Sequence, residues 1–402
     1  MKGLHLNIVR SAVVGGSLLA LGQAFAQGPL TPPGLPGPTM KTLQQVEPRM
    51  PISSAPYTIS QSGSYYLTTN LTCTGHGVVI AASGVTLDLR GFAMTGDMSS
   101  SHDGVLLLGT AAAPIRDVRV QNGVIRAFDV GVSAECCQSC WFEHLALSTN
   151  STFGIGLSVS GSSGNCDDNV IAHCTIRDTS FRGVCLDGSG GKCNGNVVAD
   201  CTISGSSNCG LYVNSGWTPG HSRGNRITHC TIESNATGGI ALMGVYSGDC
   251  SDNTIADSSI TDNGGGGIDI EAANGMANGN TITRCSLSGN GATAIQVSGG
   301  GGKCGGNVIA DCTIENNKGN GIALSGANSS RIEGNHIVGQ TGATTYGIFS
   351  AGMANMIFRN TCVGQTNNFA LSANDTYGPI VTSTGELGSS GASAHPLANF
   401  SR

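Results

Sequence analysis

The sequence predicts an all-β fold: a right-handed parallel β-helix of about ten three-stranded coils with an N-terminal cap. Three observations support this fold class. A short block recurs at nearly constant spacing, apolar residues alternate with polar ones in short runs, and 62 of the 402 residues are glycine. Only 11% of the residues are charged and 39% are hydrophobic. A helical domain would need more Ala, Glu and Lys, and a disordered chain would have fewer apolar residues.

The recurring block predicts the first two strands of each coil. Its copies read N-V-I-A-H-C-T-I, N-V-V-A-D-C-T-I, N-R-I-T-H-C-T-I, N-T-I-A-D-S-S-I, N-T-I-T-R-C-S-L and N-V-I-A-D-C-T-I. Successive copies lie 27 to 29 residues apart, and degenerate copies start near 140, 330 and 355. The six regular copies start at Asn169, Asn196, Asn225, Asn253, Asn280 and Asn307.

A second block, G-I-x-L in its commonest form, lies between consecutive copies and predicts the third strand. Because each strand is short and each turn is rich in Gly, Ser and Asn, one unit is expected to form one triangular coil. Coils would stack through backbone hydrogen bonds about 4.8 Å apart and bury equivalent residues in columns. Three predicted columns contain Ile171, Val198, Ile227, Ile255, Ile282 and Ile309; Ile176, Ile203, Ile232, Ile260, Leu287 and Ile314; and Ile155, Val184, Leu211, Ile240, Ile268, Ile295 and Ile322.

The chain ends differ from the repeat region. Residues 1–26 are interpreted as a signal peptide, because Lys2 and Arg10 flank an apolar run and Ala24-Phe25-Ala26 provides a cleavage site. Residues 27–50 contain a Pro-rich linker, residues 51–376 the β-helix, and residues 377–402 a C-terminal cap or tail. The expected location is secreted or periplasmic, in the cell envelope, with no transmembrane segment in the mature chain. The formal net charge of −6 argues against a nucleic-acid partner.

The N-x-I-x-x-[CN]-x-I frame, the G-I-x-L strands and the V-T-L-D-L-R-G segment from Val85 resemble secreted right-handed β-helix proteins related to pectate lyases and NosD-type periplasmic proteins. The resemblance covers roughly residues 57–365. It implies an association with sugars or polysaccharides, in a superfamily that also has non-catalytic members. In that family an Asn ladder usually occupies the Cys174 position, and Asn335 and Asn360 restore that residue here.

The 16 cysteines follow the repeat, which predicts buried small side chains rather than a disulfide framework. One column contains Cys174, Cys201, Cys230, Cys285 and Cys312. Cys166 and Cys193 would lie on adjacent coils, close enough for a disulfide. The cluster of Cys136, Cys137 and Cys140 is expected to form local disulfides, with a metal site that includes His144 as the alternative.

Charges of alternating sign precede the cysteine column. Two interpretations are open: a His-Asp constellation for acid-base chemistry, or a ladder that merely avoids like-charge stacking, which we favour because exposed charges one coil apart interact weakly. The residues are His173, Asp200, His229, Asp257, Arg284 and Asp311.

The G-I-x-L strand provides the candidate site, because its outward positions carry polar and aromatic residues. Asp269, Glu271 and Tyr212 are the catalytic candidates; the first two lie about 6.7 Å apart along one strand face, near the low end of the carboxylate separation in inverting glycosidases. An ordinary solvated face is the alternative reading of this acidic pair. Candidate substrate-binding residues are Asp187, Lys192, Asn214, Trp217, His221 and Arg223.

Two functions follow from these residues. The first is an exported protein that binds or processes a polysaccharide or cell-envelope glycan on this strand face, as a lyase or glycoside hydrolase if it is an enzyme. The second is a non-catalytic structural or adhesive envelope protein, which the small outward residues Ala241, Ala323 and Thr202 favour. No cofactor or metal is expected, except Ca²⁺ if the protein is a lyase.

Overall fold

The computed structural model describes residues 48–99, 101–159, 163–216, 220–343, 345–382 and 391–402. The predicted signal peptide (1–26) and nearly all of the predicted linker (27–50) lie outside these residues. Within the described ranges, regular secondary structure consists of β-strands, and none of these ranges contains a helix. The all-β prediction is therefore confirmed.

The strands form a solenoid in which each regular coil contributes one strand to each of three faces. We call them face 1 and face 2, formed by the two halves of the recurring block, and face 3, formed by the G-I-x-L segments. All pairings between neighbouring coils on these faces are parallel. Arg119–Arg126 and Trp141–Ser148 run through faces 1 and 2, so these two faces form one 26-stranded sheet, whereas face 3 is a separate 13-stranded sheet.

Apart from the two long strands, the three faces have the following members. Face 1 contains Met50–Ile52, Gly63–Leu67, Val85–Asp88, Val170–Ala172, Val197–Ala199, Arg226–Thr228, Thr254–Ala256, Thr281–Thr283, Val308–Ala310, Arg331–Glu333, Met356–Phe358 and Thr376–Tyr377. Face 2 contains Leu71–Thr72, Ala93–Thr95, Thr175–Arg177, Thr202–Ser204, Thr231–Glu233, Ser259–Thr261, Ser286–Ser288, Thr313–Glu315, His336–Val338, Thr361–Val363, Ile380–Val381 and Asn399–Ser401. Face 3 contains Tyr57–Ile59, Val78–Ile80, Val105–Leu108, Val130–Glu135, Phe153–Ser158, Arg182–Asp187, Cys209–Asn214, Gly238–Met243, Gly266–Glu271, Ile295–Ser298, Ile322–Ser325, Tyr346–Ser350 and Asn367–Ala370. Ile115–Arg116 pairs with Cys137–Gln138 as a small additional sheet.

Each face buries a column of aliphatic side chains, as the alternation predicts. Pairing in register stacks Ile227 on Ile255, and likewise Ile240 on Ile268 on face 3. Members of the three predicted columns are at most 2% exposed. Because burying each such side chain contributes roughly 1.5 to 3 kcal/mol, the stacked columns supply the main stabilisation of the solenoid.

Buried amide ladders hold the coils in register. The Oδ1 of Asn225 accepts hydrogen bonds from the backbone N and the Nδ2 of Asn196, at 2.9 and 3.0 Å. Asn225 in turn donates to Asn253 in the same way. These side chains satisfy turn N–H groups that would otherwise be buried without partners. A second amide ladder lies in the turns that come directly after the face 2 strands, and it was not predicted. It contains Asn235, Asn263, Asn290, Asn317 and Gln340.

The residues of alternating charge lie at the bend between face 1 and face 2. They adopt a left-handed backbone conformation, with φ between 51° and 54°. Arg284 forms two hydrogen bonds with Asp257, at 2.7 and 2.8 Å. The column therefore includes an ion pair between successive coils, as the structural interpretation expects.

The sixteen cysteines are all buried and present as free thiols. The disulfides considered for Cys166 with Cys193, and for the cluster near residue 137, are therefore not formed in this structure. The Sγ atoms of Cys137 and Cys166 lie 3.0 Å apart. Cys140 is buried in the core, whereas His144 is exposed and stacks on His173 with ring centroids 5.0 Å apart. The metal site considered for these residues is not assembled.

Both ends of the solenoid carry additional strands. Tyr57–Ile59 and Gly63–Leu67 begin faces 3 and 1 at the N-terminal end, where the cap is expected. At the other end, Asn399–Ser401 pairs with both Thr361–Val363 and Ile380–Val381, so the C-terminal segment returns to extend the sheet. In the described part of the chain, we find no helical segment with the length and hydropathy of a membrane span.

Candidate functional site

A cleft of about 390 Å³ opens on the outward side of face 3. Four consecutive coils contribute to it, from the strand Cys209–Asn214 to the strand Ile295–Ser298. Backbone and small side chains form much of its lining, together with one aromatic ring, one carboxyl group and several hydroxyl and amide groups. The lining residues are Asn208, Cys209, Tyr212, Thr237, Gly238, Ile240, Ala241, Met243, Gly266, Ile268, Asp269, Ala292, Thr293 and Gln296.

The cleft exists because a small residue interrupts a column of larger ones. Strand pairing places Tyr212, Ala241, Asp269 and Gln296 at equivalent outward positions on successive coils. Ala241 leaves a gap between Tyr212 and Asp269, whose Cα positions are two strand spacings, or about 10 Å, apart. This gap is comparable to the length of a disaccharide.

In the outward column next to that of Ala241, two glycines place no side chain in the cleft. Gly238 and Gly266 pair with each other beside Ala241 and line the cleft. A Cβ built on Gly238 would meet nothing closer than a backbone oxygen at 3.3 Å. On the adjacent Gly239, it would lie 2.5 Å from the carbonyl oxygen of Gly267. Gly239 is therefore required by packing between coils, whereas Gly238 shapes the surface.

An arginine supports the aromatic wall of the cleft. The guanidinium carbon of Arg182 lies 3.5 Å from the centroid of the Tyr212 ring and 4.3 Å from that of Phe181. Arg182 belongs to the coil before Tyr212, whereas Ala241 belongs to the coil after it. Two buried thiols, Cys185 and Cys209, lie next to this pair, and burial raises their pKa values to about 12 and about 11.

The carboxyl group of the cleft has an unusual affinity for protons. Burial of Asp269, followed by repulsion from Glu271, raises its pKa to about 6. Burial also raises the pKa of Tyr212 to about 12, partly opposed by the charge of Arg182. Near neutral pH, the site therefore contains a neutral phenol and a carboxyl group that retains a protonated fraction.

The remaining predicted residues of face 3 lie beside the cleft. Glu271 is on the outward column that pairs with Met243 and Ser298. Asp187 accepts a hydrogen bond from the backbone N of Ser189 and another from Asn214, at 3.0 Å each, so both predicted residues stabilise a turn. None of the three predicted residues lines the cleft.

The predicted cations lie on the loop that follows face 3. Lys192, His221 and Asp249 form one column through bridges between successive coils. His221 Nδ1 lies 3.9 Å from Asp249 Oδ2, and Arg223 lies 3.4 Å from the same oxygen and 2.8 Å from Asp252. The structure therefore brings these residues to each other and does not place them in the cleft lining. Trp217 lies outside the described residues.

Three features of the site were not predicted from the sequence: Arg182, Gln296 and the role of Ala241 as a gap. The register of the repeat could have revealed Gln296. When the G-I-x-L strands are aligned, Gln296 falls in the same column as Asp269. The position of Arg182 against Tyr212 depends on how one side chain crosses to the next coil, which no sequence pattern indicates.

Comparison with known proteins agrees with this architecture. Residues 62–219 and 103–276 match the right-handed β-helix region family, and residues 220–381 match the family of NosD, a periplasmic copper-binding protein. The A-module of mannuronan C-5 epimerase AlgE4 from Azotobacter vinelandii is similar in structure, with 15% identity, a TM-score of 0.57, and coverage of 78% of this chain and 91% of that one. The periplasmic alginate epimerase AlgG gives 11% identity, a TM-score of 0.56, and coverage of 77% and 76%. No curated protein matches significantly in sequence.

The description of the NosD family raises the question of a copper site. Among the described residues, no three or more His, Cys, Asp and Glu side chains are grouped so that they could hold a metal ion. The exposed imidazoles of His144 and His173 stack on each other, and the buried thiols lie in the core. The described side chains therefore do not fit a copper centre.

Proposed function

Because the chain belongs to the right-handed β-helix family and carries an outward cleft between Tyr212 and Asp269, we propose that it binds polysaccharide on face 3. The single observation that supports this most strongly is the gap at Ala241, which leaves an aromatic ring and a carboxyl group facing one space. Export to the periplasm or cell envelope is part of the proposal, and the predicted signal peptide and the match to a periplasmic family support it.

Tyr212 would provide the stacking surface for a sugar ring. Sugar rings present C–H groups that pack on aromatic faces, and a phenol adds a hydroxyl at the edge. Arg182 stacks on the ring from the preceding coil, so the ring is held in place before a ligand arrives. A pre-positioned aromatic side chain loses little conformational entropy on binding, which favours affinity.

Polar groups around the ring would select a hydroxyl-rich ligand. Asn208, Thr237, Thr293 and Gln296 line the cleft with amide and hydroxyl groups, and Asp269 adds a carboxyl group. Sites of this kind combine an apolar surface with a few oriented hydrogen-bonding groups. Because consecutive coils are about 4.8 Å apart, a polysaccharide that follows the solenoid axis would meet roughly one coil per sugar residue.

Asp269 in the cleft, together with Glu271 beside it, would give the site a capacity for glycoside hydrolysis. Asp269, with its raised pKa, would donate a proton to the glycosidic oxygen, and Glu271 would take a proton from the attacking water. The two residues are two positions apart on one outward strand face, about 6.7 Å along the strand, which suits an inverting arrangement. Lyase chemistry has less support, because the described residues that line the cleft include no cation to neutralise a sugar carboxylate.

A binding and activity screen tests this proposal. The purified protein is incubated with neutral and acidic polysaccharides, and binding, new reducing ends and ultraviolet absorbance of unsaturated ends are measured. We expect binding to at least one glycan, with a loss of affinity in Tyr212→Ala. Phe349→Ala is the matched control, because Phe349 is an aromatic residue in the same outward column, outside the cleft. If no polysaccharide of the panel is bound or cleaved, or if Tyr212→Ala binds as well as wild type, the proposal is wrong.

The alternative function is a non-catalytic structural or adhesive rod. The buried amide ladders favour it, because they connect coil to coil along much of the solenoid and would resist bending. This alternative predicts a stable protein whose surface attachment survives Tyr212→Ala and Asp269→Asn. The screen above therefore separates the two functions.

A further inference from the structure

The charges around the cleft suggest which class of polysaccharide it accepts. The only ionisable side chains in the described lining are those of Asp269, Tyr212 and Cys209. No Lys, Arg or His is among the lining residues, and Glu271 adds a second carboxyl group on the same strand face. The described cleft is therefore either neutral or negative, depending on the protonation of Asp269.

The nearby cations are directed elsewhere. Arg182, on the preceding coil and outside the cleft lining, stacks on the Tyr212 ring, and Arg223 is paired with Asp249 and Asp252 on the following loop. Lys318 is the one nearby cation that no described ion pair directs away from the cleft. It is exposed and lies one coil beyond the lining residues Ala292 and Thr293, where its backbone N donates to the carbonyl oxygen of Asn290.

A sugar carboxylate bound in this cleft would be poorly compensated. It would lose part of its hydration while lying near Asp269, with no positive side chain in the described lining to replace the lost water. Burying like charges together without a counter-charge is a strong source of discrimination against a ligand. Uncharged sugars avoid this cost and use the carboxylate of Asp269 as a hydrogen-bond acceptor.

We infer that the cleft selects uncharged glycans over polyuronates. This inference rests on the proposed function, because it assumes that a polysaccharide binds between Tyr212 and Asp269. The expected substrates are neutral hexose or pentose polymers. Their hydroxyl groups would form hydrogen bonds with Asp269, Gln296 and the cleft threonines, while one sugar ring packs on Tyr212.

The test compares two matched ligand sets at pH 7.5 by isothermal titration calorimetry. One set contains neutral gluco-, manno-, galacto- and xylo-oligosaccharides of four to six sugars, and the other contains oligogalacturonates and oligomannuronates of the same lengths. We expect the best uronate to bind at least about tenfold more weakly than the best neutral oligosaccharide, the ratio that about 1.4 kcal/mol produces.

A charge-neutralising variant isolates the cause. Asp269→Asn should narrow the ratio between neutral and uronate affinities by at least about threefold, because the amide keeps hydrogen-bonding capacity and removes the charge. Glu315→Gln, a carboxyl-to-amide change on face 2, is the matched control and should leave the ratio unchanged. Lys318→Ala should also leave it unchanged.

The outcomes distinguish the inference from the function on which it rests. Uronates that bind as well as neutral sugars and lose affinity in Tyr212→Ala would overturn the substrate class and leave the proposed function standing. The substrate class would also be overturned if Asp269→Asn leaves the ratio of neutral to uronate affinities unchanged, or if uronate binding depends on Lys318. If no oligosaccharide of either set binds, the proposed function fails together with the inference.

Discussion

The guanidinium group of Arg182 lies against the ring of Tyr212, with 3.5 Å between the guanidinium carbon and the ring centroid. The two residues belong to successive coils, on neighbouring outward columns of face 3. Their contact orients the aromatic wall of the cleft and covers the buried thiols Cys185 and Cys209, which are 3% and 5% exposed. A residue outside the cleft lining thus sets the shape of the cleft.

Replacing this arginine should expose the thiols and loosen the ring. In Arg182→Ala we expect faster maleimide labelling of Cys185 and Cys209, located by mass spectrometry, and glycan affinity reduced by a few-fold to about tenfold, the range of a partly desolvated cation–π contact. Arg331→Ala is the control, since Arg331 packs on Phe358 on face 1. Labelling rates equal to those of the control would contradict this role of Arg182.

Removing one rung of the asparagine ladder should destabilise the solenoid. Asn225→Ala takes away the oxygen that accepts two hydrogen bonds from Asn196. The buried backbone N–H of Asn196 then loses this acceptor, whereas its Nδ2 keeps the carbonyl oxygen of Cys166, so we expect a cost of about 1 to 3 kcal/mol. The urea midpoint of unfolding, followed by circular dichroism, should fall accordingly. Arg226→Ala, at the adjacent exposed position, should change the midpoint little. Equal shifts in the two variants would contradict the structural importance of the ladder.

Two adjacent glycines should respond in opposite ways. Gly239→Ala places a methyl group 2.5 Å from the carbonyl oxygen of Gly267 and 2.4 Å from Ile260 Cγ2, so we expect poor folding or a marked fall in Tm. Gly238→Ala points its methyl group into the cleft and should fold normally while weakening glycan binding. Thermal unfolding and calorimetry of both variants check this pair. A normal Tm for Gly239→Ala would refute the packing argument.

The raised pKa of Asp269 predicts a pH-dependent stability difference. Its pKa of about 6 in the folded protein exceeds the usual value of 3.8, so the folded state holds the proton more tightly than the unfolded state between these values. Its contribution to stability therefore decreases as the pH rises through this interval, and is constant above and below it. Asp269→Asn removes this dependence.

The measurement is the free energy of unfolding of Asp269→Asn minus that of wild type, at pH 4, 5, 6 and 7. We expect this difference to grow in favour of the variant as the pH rises, and to level off above pH 7. Taking the difference cancels the titrating groups that do not interact with Asp269. A difference that is flat or falls with pH would contradict the assigned shift.

Filling the gap at Ala241 should block the site without harming the fold. Ala241→Leu directs a larger side chain outward between Tyr212 and Asp269, so we expect glycan binding to disappear while Tm stays close to that of wild type. Ser298→Leu, outward on the same face and outside the cleft lining, is the matched control. Binding retained in Ala241→Leu would show that glycans occupy another part of the surface.

Much of the candidate site could be read from the strand pattern, and part of it could not. Tyr212, Asp269 and Glu271 were identifiable as outward residues because alternation along a strand fixes which side each residue faces. Lys192, His221 and Arg223 were expected at the same site because they follow the same strand. The loop directs His221 and Arg223 toward Asp249 and Asp252 instead, and Lys192 lies in the same loop column. A two-residue period does not encode the conformation of such a turn.

The sequence by itself determined the solenoid, its repeat length and the membership of its three core columns, because a period-two pattern repeated every 27 to 29 residues leaves one way to bury each apolar face. Only the tertiary structure decided where the cleft lies, which cations face away from it and which arginine supports its wall. These features depend on contacts between side chains of different coils, and such contacts are set by register and rotamer after the backbone has stacked.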